Sequence, residues 1–235
     1  MTMNLLGLGH FHPENEITNQ FLEDLDIGTN DEWIMERTGI RSRRTALPLD
    51  YIRTTRNLDP RAAIEAAAIS NAEMGARAAR MALARAGLEP AAVGLLVGGG
   101  CAPNTASPAE ACNIGAALGL ETTACLDINS ACTSFIAGVY VLSLMDPAKL
   151  PDYVLLVVAE PMTGTVDYND RSSAVLWGDG ALAAVFSPRH RGRAQILGSR
   201  MLSDPGGHDK VVVPRLGHFH QEGRTVQTFA IRKTS

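Results

Sequence analysis

The sequence has few cysteines, no long apolar run and no surplus of basic residues, and each shortage removes a class of function. Only four cysteines occur in 235 residues, Cys101, Cys112, Cys125 and Cys132, at gaps of 11, 13 and 7. No pair has the C-x₂₋₄-C spacing of a structural zinc site, and a chain of this length buries roughly 70% of its extended surface without disulfides or a structural metal. Reduced thiols and no metal are therefore expected. A net charge of −4 gives no support for a surface that coats nucleic acid. No apolar segment approaches the roughly 20 residues that cross a bilayer. The opening MTMNLLGLGHFHPEN has neither a basic n-region nor a long apolar h-region. A cytoplasmic chain with no membrane and no nucleic-acid partner is the expectation.

What is present describes an ordered globular protein, 46% apolar and 20% charged. Residues 3–9 read as a strand, and Pro13 discourages regular structure at His12. Thr29, Asn30 and Asp31 offer caps for a helix over 31–38, which Gly39 stops. The next segment is the most basic of the chain, with Arg37, Arg41, Arg43, Arg44, Arg53 and Arg56 within twenty residues. An alanine-rich helix is expected from Pro60 to Ala86, then strands at 93–98, 124–128, 153–160 and 181–186, with helices at 109–118 and 133–145 between them. Apolar strands alternating with helices predict an α/β layered fold around a mostly parallel sheet covered on both faces. After Pro188 the chain reads as strands and turns, ending on a strand over RTVQTFAIRKTS. The echo of LGHFHPE (8–14) in LGHFHQE (216–222) is too short for a structural repeat.

The strongest chemical signal is LDINSACTSFIAGVYVL. A strand ends near Asn129, Ser130 and Ala131 make a tight turn, and Cys132 stands at the start of a helix. At such an elbow a sulfur meets unpaired backbone N–H groups and the positive helix end, which favours a thiolate. On the residues alone, nucleophile and buried core thiol both stay open. Cys125 reads as core, and Cys101 and Cys112 as structural. Asp127 is expected to brace the elbow and Asp179 to hold a turn. His218 and His220 could share a strand face, but no third metal ligand is evident.

Three blocks, DEWIMERTGIRSRR, DINSACTSFIAG and DRSSAVLWGDGALA, in this order over roughly residues 31–183, resemble the 3-oxoacyl-(acyl carrier protein) synthases of type III, condensing enzymes of the thiolase-like superfamily. The resemblance implies a thiolase-like αβαβα fold in which Cys132 takes the acyl group as a thioester. It implies that Trp33 and Arg37 contact the nucleotide end of coenzyme A, with Arg171 beside the same nucleotide. No cofactor is held permanently, and a coenzyme A thioester is a substrate. The implied partners are acyl-CoA, acyl carrier protein and a second copy of the chain in a homodimer. An indole and guanidinium groups suit an adenine ring and phosphates. Arg43, Arg44, Arg53 and Arg56 read as solvated surface, a face on which an acidic carrier protein could dock. Ser107 precedes Pro108 where many relatives have phenylalanine, which implies a roomier acyl pocket, and Leu182 replaces a family glycine.

In the family, two similar halves share one chain, and the histidine and asparagine that polarise the thioester lie in the second half. None of the six histidines here fits that role. Residues 1–187 are thus expected to form the first half, with the cysteine elbow, and residues 188–235 to be connecting strands and turns leading into a second half that this chain does not include. The implied reaction is decarboxylative Claisen condensation of an acyl thioester with malonyl-acyl carrier protein through an acyl-Cys132 intermediate. The alternatives are a non-catalytic or half-site subunit, with a second chain supplying the missing half, and an acyltransferase that uses Cys132 to form an ester or amide without decarboxylation.

Overall fold

The computed structural model describes residues 3–215 and 217–234. In chain order they form β1 (Met3–Phe11), β2 (Asn15–Thr18), α1 (Asn19–Asp24), α2 (Asp31–Thr38), β3 (Ser42–Thr45), α3 (Leu49–Thr55), α4 (Pro60–Ala66), α5 (Asn71–Ala86), β4 (Leu95–Gly99) and α6 (Glu110–Leu118). There follow β5 (Ala124–Ile128), α7 (Ser134–Leu144), β6 (Val154–Glu160), α8 (Arg171–Ala174), β7 (Gly180–Ser187), β8 (Ala194–Ile196), β9 (Val211–Val212), β10 (His220–Gln221) and α9 (Gly223–Thr234). The chain divides into two units. One comprises Met1–Glu14, Ile69–Pro161 and Asp179–Met201, the other Asn15–Ala68, Met162–Gly178 and Leu202–Ser235. Among the described residues, no helix is long and apolar enough to cross a membrane.

The first unit is a six-stranded sheet in the order β5-β4-β6-β7-β1-β8. Strand β4 runs parallel to β5 and β6, whereas β6-β7, β7-β1 and β1-β8 are antiparallel. The expected mostly parallel sheet is thus a mixed one. The unbroken apolar runs report burial on both faces, and central strands such as β6 and β7 have that burial whichever way they point. One face packs under α5 and α6, where Ala78, Ala79, Ala82, Leu83 and Ile114 meet Leu155, Val157 and Val185. On the other, Val139 and Leu142 of α7 meet Val97, Leu156 and Phe186.

Close approach between α5 and β1 sets the spacing of the first face. A Cβ on Gly9 would collide with the Ala78 carbonyl and one on Gly7 with the Ala82 carbonyl, so the helix backbone lies directly on the strand. Helix α5 begins at Ser70, whose hydroxyl accepts from Glu73 N, and ends at Gly87 with φ +69°. The single helix expected over 60–86 is therefore two helices. Ala67 is extended, and Ala68 N donates to Ala46 O at 2.8 Å, which takes that N–H out of any continuing helix.

In the second unit β2 pairs antiparallel with β3, and the core gathers Ile17, Phe21, Leu22, Ile34, Leu47, Ile52, Val166 and Tyr168. Helix α2 has the expected limits. The Asn30 side chain accepts from Trp33 N, and Gly39, with φ +68°, closes the end. Arg43 departs from its expected surface position. Strand alternation turns it inward and Arg44 outward. Arg43 is only 4% exposed, its Nε and Nη2 donating to Val175 O and its Nη1 to Asn19 Oδ1 at 2.6 Å. Burial lowers its pKa to about 10.

The expected terminal strand is the helix α9. Val226 N donates to Glu222 O at 3.2 Å and Thr225 Oγ1 to the Glu222 carboxylate at 3.2 Å, closing a first turn. Among its described side chains Val226 and Phe229, three apart, are the half-buried ones, so a helical stripe overrides local β-propensity. Ser235, at the end of that segment, and Leu216, at the start of the second LGHFH, lie outside the described residues.

The Gly9 contact gives a direct test. Gly9→Val should lower unfolding free energy by at least about 3 kcal/mol, the upper end of overpacking costs, read from the urea midpoint. An unchanged midpoint would remove the close α5–β1 approach.

Candidate active site

In the first unit, β5 hands over to α7 through a turn that presents Cys132. Ala131 is held at φ +46°, a costly conformation for a residue with a Cβ, and side chains on both sides of it fix the turn. Asn129 Oδ1 accepts from Ala131 N at 3.0 Å, and Ser134 Oγ accepts from Ser130 N at 3.0 Å while donating to Ala131 O at 2.7 Å. Cys132 lies within the short 3₁₀ turn Ala131–Thr133 and is exposed. The cap residue Thr133 donates its hydroxyl to Ser130 O and provides no side-chain cap, so the first N–H groups of α7 are not taken by it. An exposed sulfur two residues ahead of such a helix end is suited to nucleophilic attack.

A carboxylate that the sequence reading passed over stands at the same edge of the sheet. Glu160 ends β6, and its Oε1 accepts from Cys101 N at 2.8 Å while Cys101 Sγ lies 3.8 Å from Oε2. Burial pushes the Glu160 carboxyl above the usual range, and nearby Asp179 adds to the rise; hydrogen bonds from Cys101 and Ala102 oppose it. Burial, followed by the charges of Glu160 and Cys132, pushes the Cys101 thiol up to about 12. Cys101 is thus a protonated, half-buried thiol within electrostatic reach of Cys132. The signal was legible: a carboxylate closing the otherwise apolar YVLLVVAE at the carboxyl end of a parallel strand, where α/β sheets place their sites.

Asp127, expected to brace the elbow, instead caps α6, accepting from Glu110 N at 2.6 Å and Ala111 N at 2.9 Å. Asp179 is buried, 4% exposed. Ser107 sits in the exposed loop ahead of α6, joined to Pro108 by a cis peptide. Leu182 lies in β7, opposite His10 and Val158.

In the second unit, the structure brings together the three residues chosen for nucleotide binding. The guanidinium carbon of Arg37, one helical turn after Trp33, is 4.5 Å from the centre of the indole, and that of Arg171 is 4.7 Å from it. Arg171 Nη1 donates to Gly28 O at 2.6 Å, and Arg37 pairs with Glu36 at 2.9 Å. Asp170 serves α8 instead of Arg171. Burial raises its pKa, but hydrogen bonds from Ser172 and Ser173 outweigh this and hold the carboxyl below its usual range. Two exposed guanidinium groups over a half-buried indole supply donors that can pair with phosphate and flat surfaces of the kind a base stacks on. His218 Nε2 lies 2.8 Å from Asn57 O, and among the described residues no three His, Cys, Asp or Glu side chains are grouped to hold a metal ion.

Residues 126–205 match the family 3-Oxoacyl-[acyl-carrier-protein (ACP)] synthase III. Over 233 residues the chain is 34% identical to the beta-ketoacyl-[acyl-carrier-protein] synthase III of Oceanobacillus iheyensis, covering 99% of this chain and 68% of that protein. The chain belongs to this synthase III family. A second relative, from Symbiobacterium thermophilum, is 32% identical, with 98% of this chain and 68% of the relative covered. The crystal structure of 3-oxoacyl-[acyl-carrier-protein] synthase III from Aquifex aeolicus superposes with a TM-score of 0.83 at 30% identity, covering 98% of this chain and 68% of that one. The priming β-ketosynthase of the R1128 polyketide pathway gives 0.81 at 27% identity, covering 99% and 66%. The thiolase-like α/β fold, a central sheet flanked by helices, is therefore as the motifs implied. The synthase III family is one of condensing acyltransferases.

The raised Glu160 pKa gives a pH test with a defined sign. A carboxyl whose folded pKa lies above the unfolded value of 4.5 adds stability in its protonated form, and that contribution is lost as pH rises through the folded value. Relative to wild type, Glu160→Gln should gain stability progressively as pH is raised above 4.5, measured by urea unfolding at several pH values. A difference that does not change with pH would contradict the assignment.

Proposed function

We propose that this chain takes an acyl group from an acyl-CoA thioester onto Cys132 and passes it to malonyl-acyl carrier protein in a decarboxylative Claisen condensation, as a step of fatty-acid synthesis. The observation that carries the reading is the exposed Cys132 on a hydrogen-bonded strand-to-helix turn, supported by membership of the family. The Cys132 thiolate attacks the thioester carbonyl, and the tetrahedral adduct collapses with loss of the coenzyme A thiolate, which takes up the proton released by Cys132. Malonyl-carrier protein then loses carbon dioxide. Its carbanion attacks the acyl-Cys132 carbonyl, and the tetrahedral adduct collapses to a β-ketoacyl-carrier protein, expelling the Cys132 thiolate, which takes a proton from water.

The nucleotide end of coenzyme A is assigned to the indole and guanidinium groups of Trp33, Arg37 and Arg171, and Ser107 to the acyl pocket. Carrier-protein docking is assigned to the exposed Arg44 and Arg53, the latter paired with Asp50 at 2.6 Å, and not to the buried Arg43. Polarisation of the acyl carbonyl during condensation is assigned to a histidine and an asparagine of the kind the family carries in its second half. The chain is proposed to act in the cytoplasm as a homodimer.

Incubation with acyl-CoA followed by intact-mass measurement should show one acyl group added to wild type and none to Cys132→Ala. No adduct on wild type, or an undiminished adduct on the variant, would overturn the proposal. Trp33→Ala should weaken acyl-CoA binding roughly tenfold, about 1.4 kcal/mol, without changing the site of acylation. Calorimetric titration with coenzyme A checks this, and unchanged affinity would remove the nucleotide assignment.

A further inference from the structure

Two cysteines that the proposed reaction does not use face each other between α6 and β5. Strand alternation puts Cys125 and Asp127 on one face of β5, and the Asp127 carboxylate holds the first N–H groups of α6, at Glu110 and Ala111. Two residues back along a strand is about 7 Å, which matches four to five residues along a helix at its 1.5 Å rise. Cys125 therefore lies against α6 at about residues 114–116. The contacts agree: a Cβ on Gly115 would stand 3.7 Å from Cys125 Sγ, and the Cys112 thiol, one turn earlier on α6, is near enough to Cys125 to push its pKa up. Cys112 is exposed and Cys125 half-buried, so one thiol of the pair is open to solvent and the other waits behind it.

We propose that Cys112 and Cys125 form a reversible disulfide when the chain meets a low-molecular-weight disulfide, making this face of α6 a redox-modification site. The exposed Cys112 thiolate attacks one sulfur of the oxidant. A mixed disulfide forms, and the first small thiol leaves with the proton that Cys112 gave up. Cys125, whose thiol is held up by burial and by Cys112, acts second. Its sulfur attacks Cys112 Sγ and expels the second small thiol, which takes the Cys125 proton. The chain loses two hydrogens and two electrons, and the oxidant becomes two thiols. The new bond ties the first turn of α6 to the strand that leads to Cys132.

The test is incubation of the intact chain with oxidised glutathione, alkylation of the remaining thiols and non-reducing peptide mapping by mass spectrometry. The expected product is a 112–125 cross-link in at least tenfold excess over any other pair, reversed by dithiothreitol, with Cys101 alkylated. Cys125→Ser should retain glutathione on Cys112, and Cys112→Ser should form neither the cross-link nor an adduct at Cys125. The proposal is overturned if Cys112 and Cys125 remain alkylated, if wild type keeps glutathione on Cys112, or if Cys101 and Cys132 are the pair that links.

Discussion

The distance between α5 and β1 governs the first unit. Gly7 and Gly9 strip the strand of side chains where the helix crosses it, and Ala78, Ala79 and Ala82 do the same for the helix. Two backbones in near contact exclude water from the area between them and lose few side-chain conformers in doing so. The helix rim completes the seal with polar groups. Arg85 donates to the Leu8 carbonyl at 2.9 Å, Arg80 reaches the Ala117 carbonyl, and Arg77 lies over the Phe11 ring at 5.0 Å. Because α5 also packs on α6, with Gly75 against Ile114 and Val157, the height of α6 above the sheet follows from the same constraint.

From that height the chemistry at the sheet edge follows. Asp127 can hold the start of α6 only because Gly98 has no Cβ, which would otherwise collide with its carboxylate. On the opposite face, Gly138 lets α7 settle on Leu156, which anchors the helix that begins just after Cys132. The positive φ at Ala131 is thus held from both ends, by the strand and by a helix that cannot slide. The carboxyl ends of β4, β5 and β6 then deliver Cys101, Cys132 and Glu160 to one edge, although they are separated by up to 59 residues in the chain.

Much of this was legible in the sequence, for local reasons. Helix α2 was readable because Asn30 and Gly39 sit at its two ends with the side chains each role requires. The elbow was readable because a small-residue turn joins a strand to an apolar helix. What escaped depends on contacts far apart in sequence. The break before α5 comes from a hydrogen bond between Ala68 and Ala46, the antiparallel direction of β7 from its partners, and the link from Glu160 to Cys101 from the pairing of β4 with β6. The terminal segment failed for the opposite reason. Its Thr, Val, Phe and Ile residues favour a strand locally, yet Val226 and Phe229 are spaced for a helix.

The arginines of the second unit show why composition alone cannot assign a role to a charge. Arg37, Arg43 and Arg171 all belong to the motif blocks, and all are equally cationic in the sequence. Arg43 finds a carbonyl and an amide oxygen inside the unit, at Val175 and Asn19, so its donors are satisfied by neutral acceptors and burial is tolerated at the cost of a lowered pKa. Arg37 and Arg171 remain exposed, Arg37 paired with Glu36 and Arg171 donating to Gly28 O, with their guanidinium carbons 4.5 and 4.7 Å from the centre of the Trp33 ring. A guanidinium has five donors, and one internal bond leaves most of them directed at solvent. The indole beside them cannot accept those donors in its plane. It offers the cations a π-face instead, while Glu36 offsets the charge of Arg37 and Arg171 bonds to the neutral Gly28 carbonyl. Three arginines of like charge thus come to three ends: Arg43 is buried on neutral acceptors, Arg37 is offset by a neighbouring carboxylate, and Arg171 keeps its charge at the surface beside the indole.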